Sequence, residues 1–193
     1  MPLGANKAAL FGMGGVSAGG AIVFLATASS GGATNIEFDS LIDATYAEYI
    51  FELQNIHSAN DGANLTFQAG ASYNTAITSG AFRAENTESG GENFGEVFAA
   101  NAQHLGTGEQ ILFHEMDNDN DSSVCGVFHL FNPGSSVFGK PWYARCQGTK
   151  NSNTSLEVYT SGVLDIAAAL TQIRFTVASG SMETGTISMY GVK

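Results

Sequence analysis

Residues 172–178 read Gln-Ile-Arg-Phe-Thr-Val-Ala, and this stretch decides the fold class. Ile173, Phe175 and Val177 alternate with Arg174 and Thr176, so an extended chain puts three apolar side chains on one face and two polar ones on the other. A helix would scatter the same residues around its circumference. The alternation recurs in 46–56, where Tyr49, Phe51 and Leu53 share a face opposite Glu52 and Gln54, and again at Leu65 and Phe67. Further runs lie at 21–27, 79–84, 95–100, 110–115, 124–131, 142–147, 156–160 and 185–191. Turn clusters separate them: Asn60-Asp61-Gly62, Glu88-Ser89-Gly90-Gly91, Asn132-Pro133-Gly134 and residues 150–153. Only 164–170, with three consecutive alanines, reads as a short helix. About ten short strands without alternating helices predict an all-β fold, an antiparallel β-sandwich or jelly roll. No internal repeat is present.

At 193 residues the chain suits one domain with a sizeable core. The division expected is a glycine-rich apolar N-terminal arm with the first strand in 1–33, and the sandwich domain in 34–193. From Ala8 to Ile36 there is no charged side chain, and Gly12, Gly14, Gly15, Gly19 and Gly20 interrupt the apolar run. Each interior glycine costs a helix about 1 kcal/mol relative to alanine, yet the segment is too apolar for a solvated linker. Something must cover it. Leu3, Leu10, Phe11 and Met13 are the residues expected to anchor it in an assembly. Ala26-Thr27-Ala28 has the small-x-small form of a signal-peptidase site, but Lys7 is the only positive charge before it, so the strand reading is preferred. A membrane span would need about 20 predominantly apolar residues free of such breakers, and none is expected.

Charged residues are 13% of the chain, roughly half the usual share. Polar surface must therefore come from Ser, Thr, Asn and Gly, or much of the surface must be hidden. A formal charge of -11 repels phosphate backbones and anionic lipid, which argues against nucleic-acid partners. With so few charges, association should rest on apolar and hydrogen-bonded contacts, and a symmetric homo-oligomer, a trimer in the first instance, is expected.

Candidate chemical sites mostly dissolve. His114-Glu115 opens like a zinc-peptidase helix, but Asn118 stands where the second histidine belongs. His57, His104, His114 and His129 have no ligand-like spacing. The run 117–121, with Asp117, Asp119 and Asp121, resembles the start of a calcium loop; Ser122 replaces its glycine and Phe128 its closing glutamate, so a solvated acidic tip is preferred to a metal site. Glu85, Glu88, Glu92 and Glu96 have no spacing that fixes two across a substrate, and neither a nucleophile elbow nor a phosphate loop occurs. The chain reads as non-enzymatic and cofactor-free. Trp142 is assigned to the core, although aromatics near Trp142-Tyr143 could stack on a sugar ring. Cys125 and Cys146 sit on the two arms of an expected hairpin. Facing residue numbers should sum to about 269 for a loop centred near 134.5, and the cysteines give 271, which leaves open a disulfide or two free buried thiols.

The opening Met1-Pro2-Leu3-Gly4-Ala5-Asn6-Lys7-Ala8-Ala9-Leu10, the run Tyr46-Ala47-Glu48-Tyr49-Ile50-Phe51, the segment Leu130-Phe131-Asn132-Pro133 and the ending Gly185-Thr186-Ile187-Ser188-Met189-Tyr190-Gly191 together resemble a family of small virion structural proteins of tailed, mostly marine, bacteriophages. The resemblance implies a β-sandwich component of the particle, assembled in the host cytoplasm beside other virion proteins, and transfers no catalytic residue. A tail or fibre-type appendage, in reach of a host surface glycan, and a capsid decoration (cement) protein are the placements it leaves open. A secreted carbohydrate-binding module is the expectation from outside that family.

Overall fold

The computed structural model describes residues 22–90, 92–151 and 153–193. The expected arm residues Leu3, Leu10, Phe11 and Met13 lie outside the described residues. Thirteen strands follow in order: β1 (Ile22–Ser29), β2 (Asn35–Phe38), β3 (Glu48–Ser58), β4 (Ala63–Ala69), β5 (Ile77–Thr87), β6 (Glu92–Val97), β7 (His104–Gly106), β8 (Gln110–Met116), β9 (Val124–Phe131), β10 (Lys140–Lys150), β11 (Thr154–Leu164), β12 (Ile173–Val177) and β13 (Met182–Val192). Every pairing is antiparallel. The fold is all-β, as the alternation predicts. Among the described residues the one helical element is a single 3-10 turn, Ala99–Asn101, and no helix is long and apolar enough to cross a membrane.

The strands form two layers. A large layer runs β1-β13-β3-β9-β10-β11-β5, with β6 and β7 both beside β5; a small layer runs β8-β4-β12-β2. The two are stitched where Lys150 of β10 meets Met116 of β8. Between them lies one core, built from the inward residues that the period of two selects: Tyr49, Phe51, Leu53, Phe128, Leu130, Trp142 and Val158 from the large layer, and Leu65, Phe67, Phe113, Ile173, Phe175 and Val177 from the small one. Phe128 sits at its centre, 4.6 Å from Phe67, 5.6 Å from Phe175 and stacked on Trp142 at 5.6 Å between ring centroids. Each such side chain contributes about 1.5–3 kcal/mol by leaving water.

Two local expectations are corrected. Residues 164–170 are not helical: Leu164 closes β11, and the alanine-rich stretch after it is irregular. A seven-residue run is too short to sustain a helix on propensity, and here its backbone is taken by other segments, with the Leu170 N–H donating to Pro133 O at 2.9 Å. Thr176 is buried on the outer side of the small layer instead of facing water, together with Thr66 and Gln68. The loop before β8 covers that side: Gln68 Nε2 donates to Thr107 O and Gly108 O, while Glu109 accepts from Thr66 Oγ1 and Arg174 Nη2.

Candidate assembly face

The small layer is covered on both sides by its own chain, so the large layer carries the one broad sheet face left open among the described residues. The pairing registers define rows across it. Phe24 faces Tyr190, which faces Ile50, which faces His129, which faces Tyr143. The next row runs Thr27, Ser188, Glu52, Val127, Arg145, Tyr159, Phe82 and Val97. Strand alternation dictates that all of these point away from the core.

A sheet face left to water normally takes polar side chains, and this one does not. Ile22, Phe24, Phe82 and Val97 are 63, 59, 53 and 83% exposed. Its rings are pre-packed against one another: Phe82 stacks on Tyr159 at 4.7 Å, Tyr143 on His129 at 4.3 Å, and Phe24 meets Tyr190 edge-on at 5.7 Å. A shallow groove of about 320 Å³ runs between Phe82, Val97, Tyr143 and Tyr159. Across β1, β13, β3, β9, β10, β11 and β5 the outward positions carry five charged side chains, and each has a partner. Glu48 pairs with His129, Glu52 accepts from the Tyr190 hydroxyl at 3.1 Å, Arg145 pairs with Glu157, and Glu183 lies 3.5 Å from His57 Nε2. The Glu52 contact raises the Tyr190 hydroxyl above its ordinary pKa, and burial followed by the nearby Glu48 does the same at Tyr143. Contiguous aromatic surface whose few charged side chains are already engaged by neighbours is the composition of a buried contact. The charge poverty of the sequence is thus concentrated on one side of the molecule.

Loops at one end extend this surface. Val137 and Phe138, 69 and 68% exposed, project from the segment between β9 and β10. That segment is held from below by Lys140, a fully buried ammonium whose Nζ donates to Ser135 O (2.8 Å), Phe138 O (2.5 Å) and Ile166 O (2.9 Å). Desolvation lowers its pKa. Nothing in the sequence distinguished Lys140 from a solvated lysine.

The site residues expected from sequence do not converge. Asp117, Asp119 and Asp121 flank one turn, but Asp117 is buried, accepting from Ser122 Oγ at 2.8 Å and from the Asp119 N–H, while Asp119 and Asp121 are exposed. The expectation of a wholly solvated tip is therefore corrected at Asp117, which shapes the turn. No group of three His, Cys, Asp or Glu side chains among the described residues is arranged to hold a metal ion. Both cysteines are free. Cys146 faces Gly126, and Cys125 faces Gln147, one step from the register that would oppose the two thiols. Gly126 makes room: a Cβ there would lie 2.7 Å from Cys146 Sγ. Burial pushes the Cys146 thiol up to about 12.

One charged cluster was not legible as a unit. Arg83 on β5 donates to His114 Nε2 at 2.8 Å and pairs with Glu96 at 2.7 Å, beneath the Phe98 ring at 4.1 Å. Lys150 pairs with Glu115 at 3.1 Å and lies 3.7 Å from Glu85. Burial, then Lys150 and Arg83, hold His114 below the usual histidine pKa. These groups form one network of ion pairs and a hydrogen bond linking β5, β6, β8 and β10. Trp142 is core, as expected, at 2% exposure.

No protein-family model and no curated protein matches the chain. Among solved structures it is similar to infectious bursal disease virus of the Gt strain (13% identity, 91% of this chain, 37% of that chain, TM-score 0.18). It is also similar to the Gx strain (14%, 91%, 36%, 0.17) and to the VP2 subviral particle of that virus (13%, 92%, 37%, 0.17). The chain spans little more than a third of those chains, and superpositions at such scores define neither a shared fold nor a shared role.

Proposed function

We propose that this chain is a non-enzymatic structural protein of a bacteriophage virion, a tail or fibre-type appendage component that associates with copies of itself through the outer face of its large layer and docks on the particle by residues 1–21. The observation that carries the reading is that face: aromatic, with every outward charge paired, on a molecule whose other broad face is self-covered. The particle itself is supplied by the resemblance of the four sequence segments to phage virion proteins.

Mass spectrometry and antibody labelling of washed, gradient-purified particles test the reading. The chain is expected in the particle at a fixed copy number, with label on the tail. Label on the capsid shell would keep the virion role and move the protein to a decoration position. Absence of the chain from washed particles would sink the proposal.

A further inference from the structure

The sheet edges of this molecule are built differently. Beside β5 the large layer ends in β7, three residues long, and in β6, which carries Glu96 and pairs with a register shift. The small layer ends in β2, four residues long with Glu37 at its centre. Shortness, charge and irregular pairing are the devices by which edge strands avoid adding further strands. The remaining edge has neither of the first two. β1 is eight residues, Ile-Val-Phe-Leu-Ala-Thr-Ala-Ser, without a charge or a proline, and among the described residues it pairs with β13 alone. Its outer row of backbone N–H and C=O groups is a template for another strand.

We propose that β1 pairs with β1 of a second copy of this chain, in an antiparallel two-fold junction that joins two large layers into one continuous sheet. The inference rests on the self-association proposed above and adds to its face contact a second one, at the edge of the same layer. Charge selects the occupant. Each molecule carries a net charge of -11, so two copies approach where the edge strand itself presents no carboxylate: Glu183 on β13 lies past the Ser29 end of β1 beside His57, and Glu48 and Glu52 lie two strands in and are already bonded.

The bulge in β1 fits the two-fold. Leu25 is the extra residue between Phe24, opposite Tyr190, and Ala26, opposite Met189, so the outward residues become Ile22, Phe24, Thr27 and Ser29. That set is symmetric about the middle of the strand. A two-fold axis there sets Phe24 against Thr27 of the second copy and Ile22 against its Ser29, and every outward side chain meets an outward one. An isologous contact of this kind builds dimers and even-numbered assemblies, in place of the trimer expected from composition.

Sedimentation equilibrium of the full chain, with folding verified by circular dichroism, tests the junction. The unaltered chain should dimerise, and Phe24→Lys or Thr27→Lys should weaken the dimer by about tenfold or more, because each puts an ammonium without a counter-ion into a row that the junction closes against uncharged side chains. Phe82→Lys, at the far side of the same face, should leave the dimer constant unchanged. Phe24→Cys mixed with Thr27→Cys should give a disulfide-linked heterodimer in greater yield than either variant alone. Association that survives both β1 lysines but is lost in Phe82→Lys overturns the junction and leaves the self-association standing. A chain that stays monomeric at every concentration overturns both.

Discussion

Lys140→Met removes one ammonium and little else, since the methionine side chain follows the lysine stem nearly to its end. In the native molecule Nζ donates to three main-chain carbonyls, two in the 135–138 segment and one at Ile166, so a single side chain ties the loop after β9 to the loop after β11. Methionine leaves those partly buried carbonyls without this donor. Orphaning a buried acceptor costs about 1–3 kcal/mol, so three would cost roughly 3–9. Relief from burying an unpaired ammonium, several kcal/mol in the other direction, offsets part of this. A net loss of about 2–4 kcal/mol remains, and for a domain of this size each kcal/mol moves Tm by about 2–4 °C, giving a fall of roughly 4–16 °C. Differential scanning calorimetry at neutral pH measures it. Hydrogen exchange should locate the loss first at the amides of Val137 and Phe138, which now bond to Ser135 Oγ. A variant that melts with the parent and protects those amides equally would show that the lysine is incidental to the loop.

Three further outcomes follow from the same contacts. His114 has a folded pKa below its unfolded value near 6.5, so its contribution to stability is complete above that value and is lost as pH falls through the lower folded pKa; His114→Gln, which keeps an acceptor for Arg83, should flatten the Tm profile below pH ~6.5, and parallel profiles would count against the assignment. Asp117→Ala should cost about 1–2 kcal/mol through its lost bonds to Ser122 and Asp119, whereas Asp119→Asn and Asp121→Asn should stay within about 0.5 kcal/mol in urea unfolding. With a pKa pushed up to about 12 and no exposure, Cys146 should resist a thiol reagent until the protein unfolds, while half-buried Cys125 reacts in the native state; equal rates would contradict the described register.

The period of two made the long strands readable, because half of each strand faces one core and half does not. Tyr49, Phe51 and Leu53 on β3, and Ile173, Phe175 and Val177 on β12, fall inward where alternation puts them. Elements too short to show a period escaped: β2 and β7 have four and three residues and exist because a neighbouring strand offers an edge. Thr176 and Gln68 violate the pattern for a tertiary reason, the loop that closes over the small layer. The disulfide question turned on one residue of register, which turn composition does not fix and which the gap above Gly126 does. Scarce charge and recurrent aromatics, the ingredients of the open outer face, are visible in the sequence. Which side it occupied required the order of the strands, since Phe82, Tyr143 and Phe24 are far apart in sequence and meet only through β11, β9, β3 and β13.

The central claim is that the outer face of the large layer is a buried contact on the virion, and an electron-microscopy map of the whole particle tests it most directly. The account predicts density from another copy of this chain or another virion protein packed against Tyr143, Tyr159 and Phe82. A map in which this subunit is located and that face looks onto solvent would contradict it.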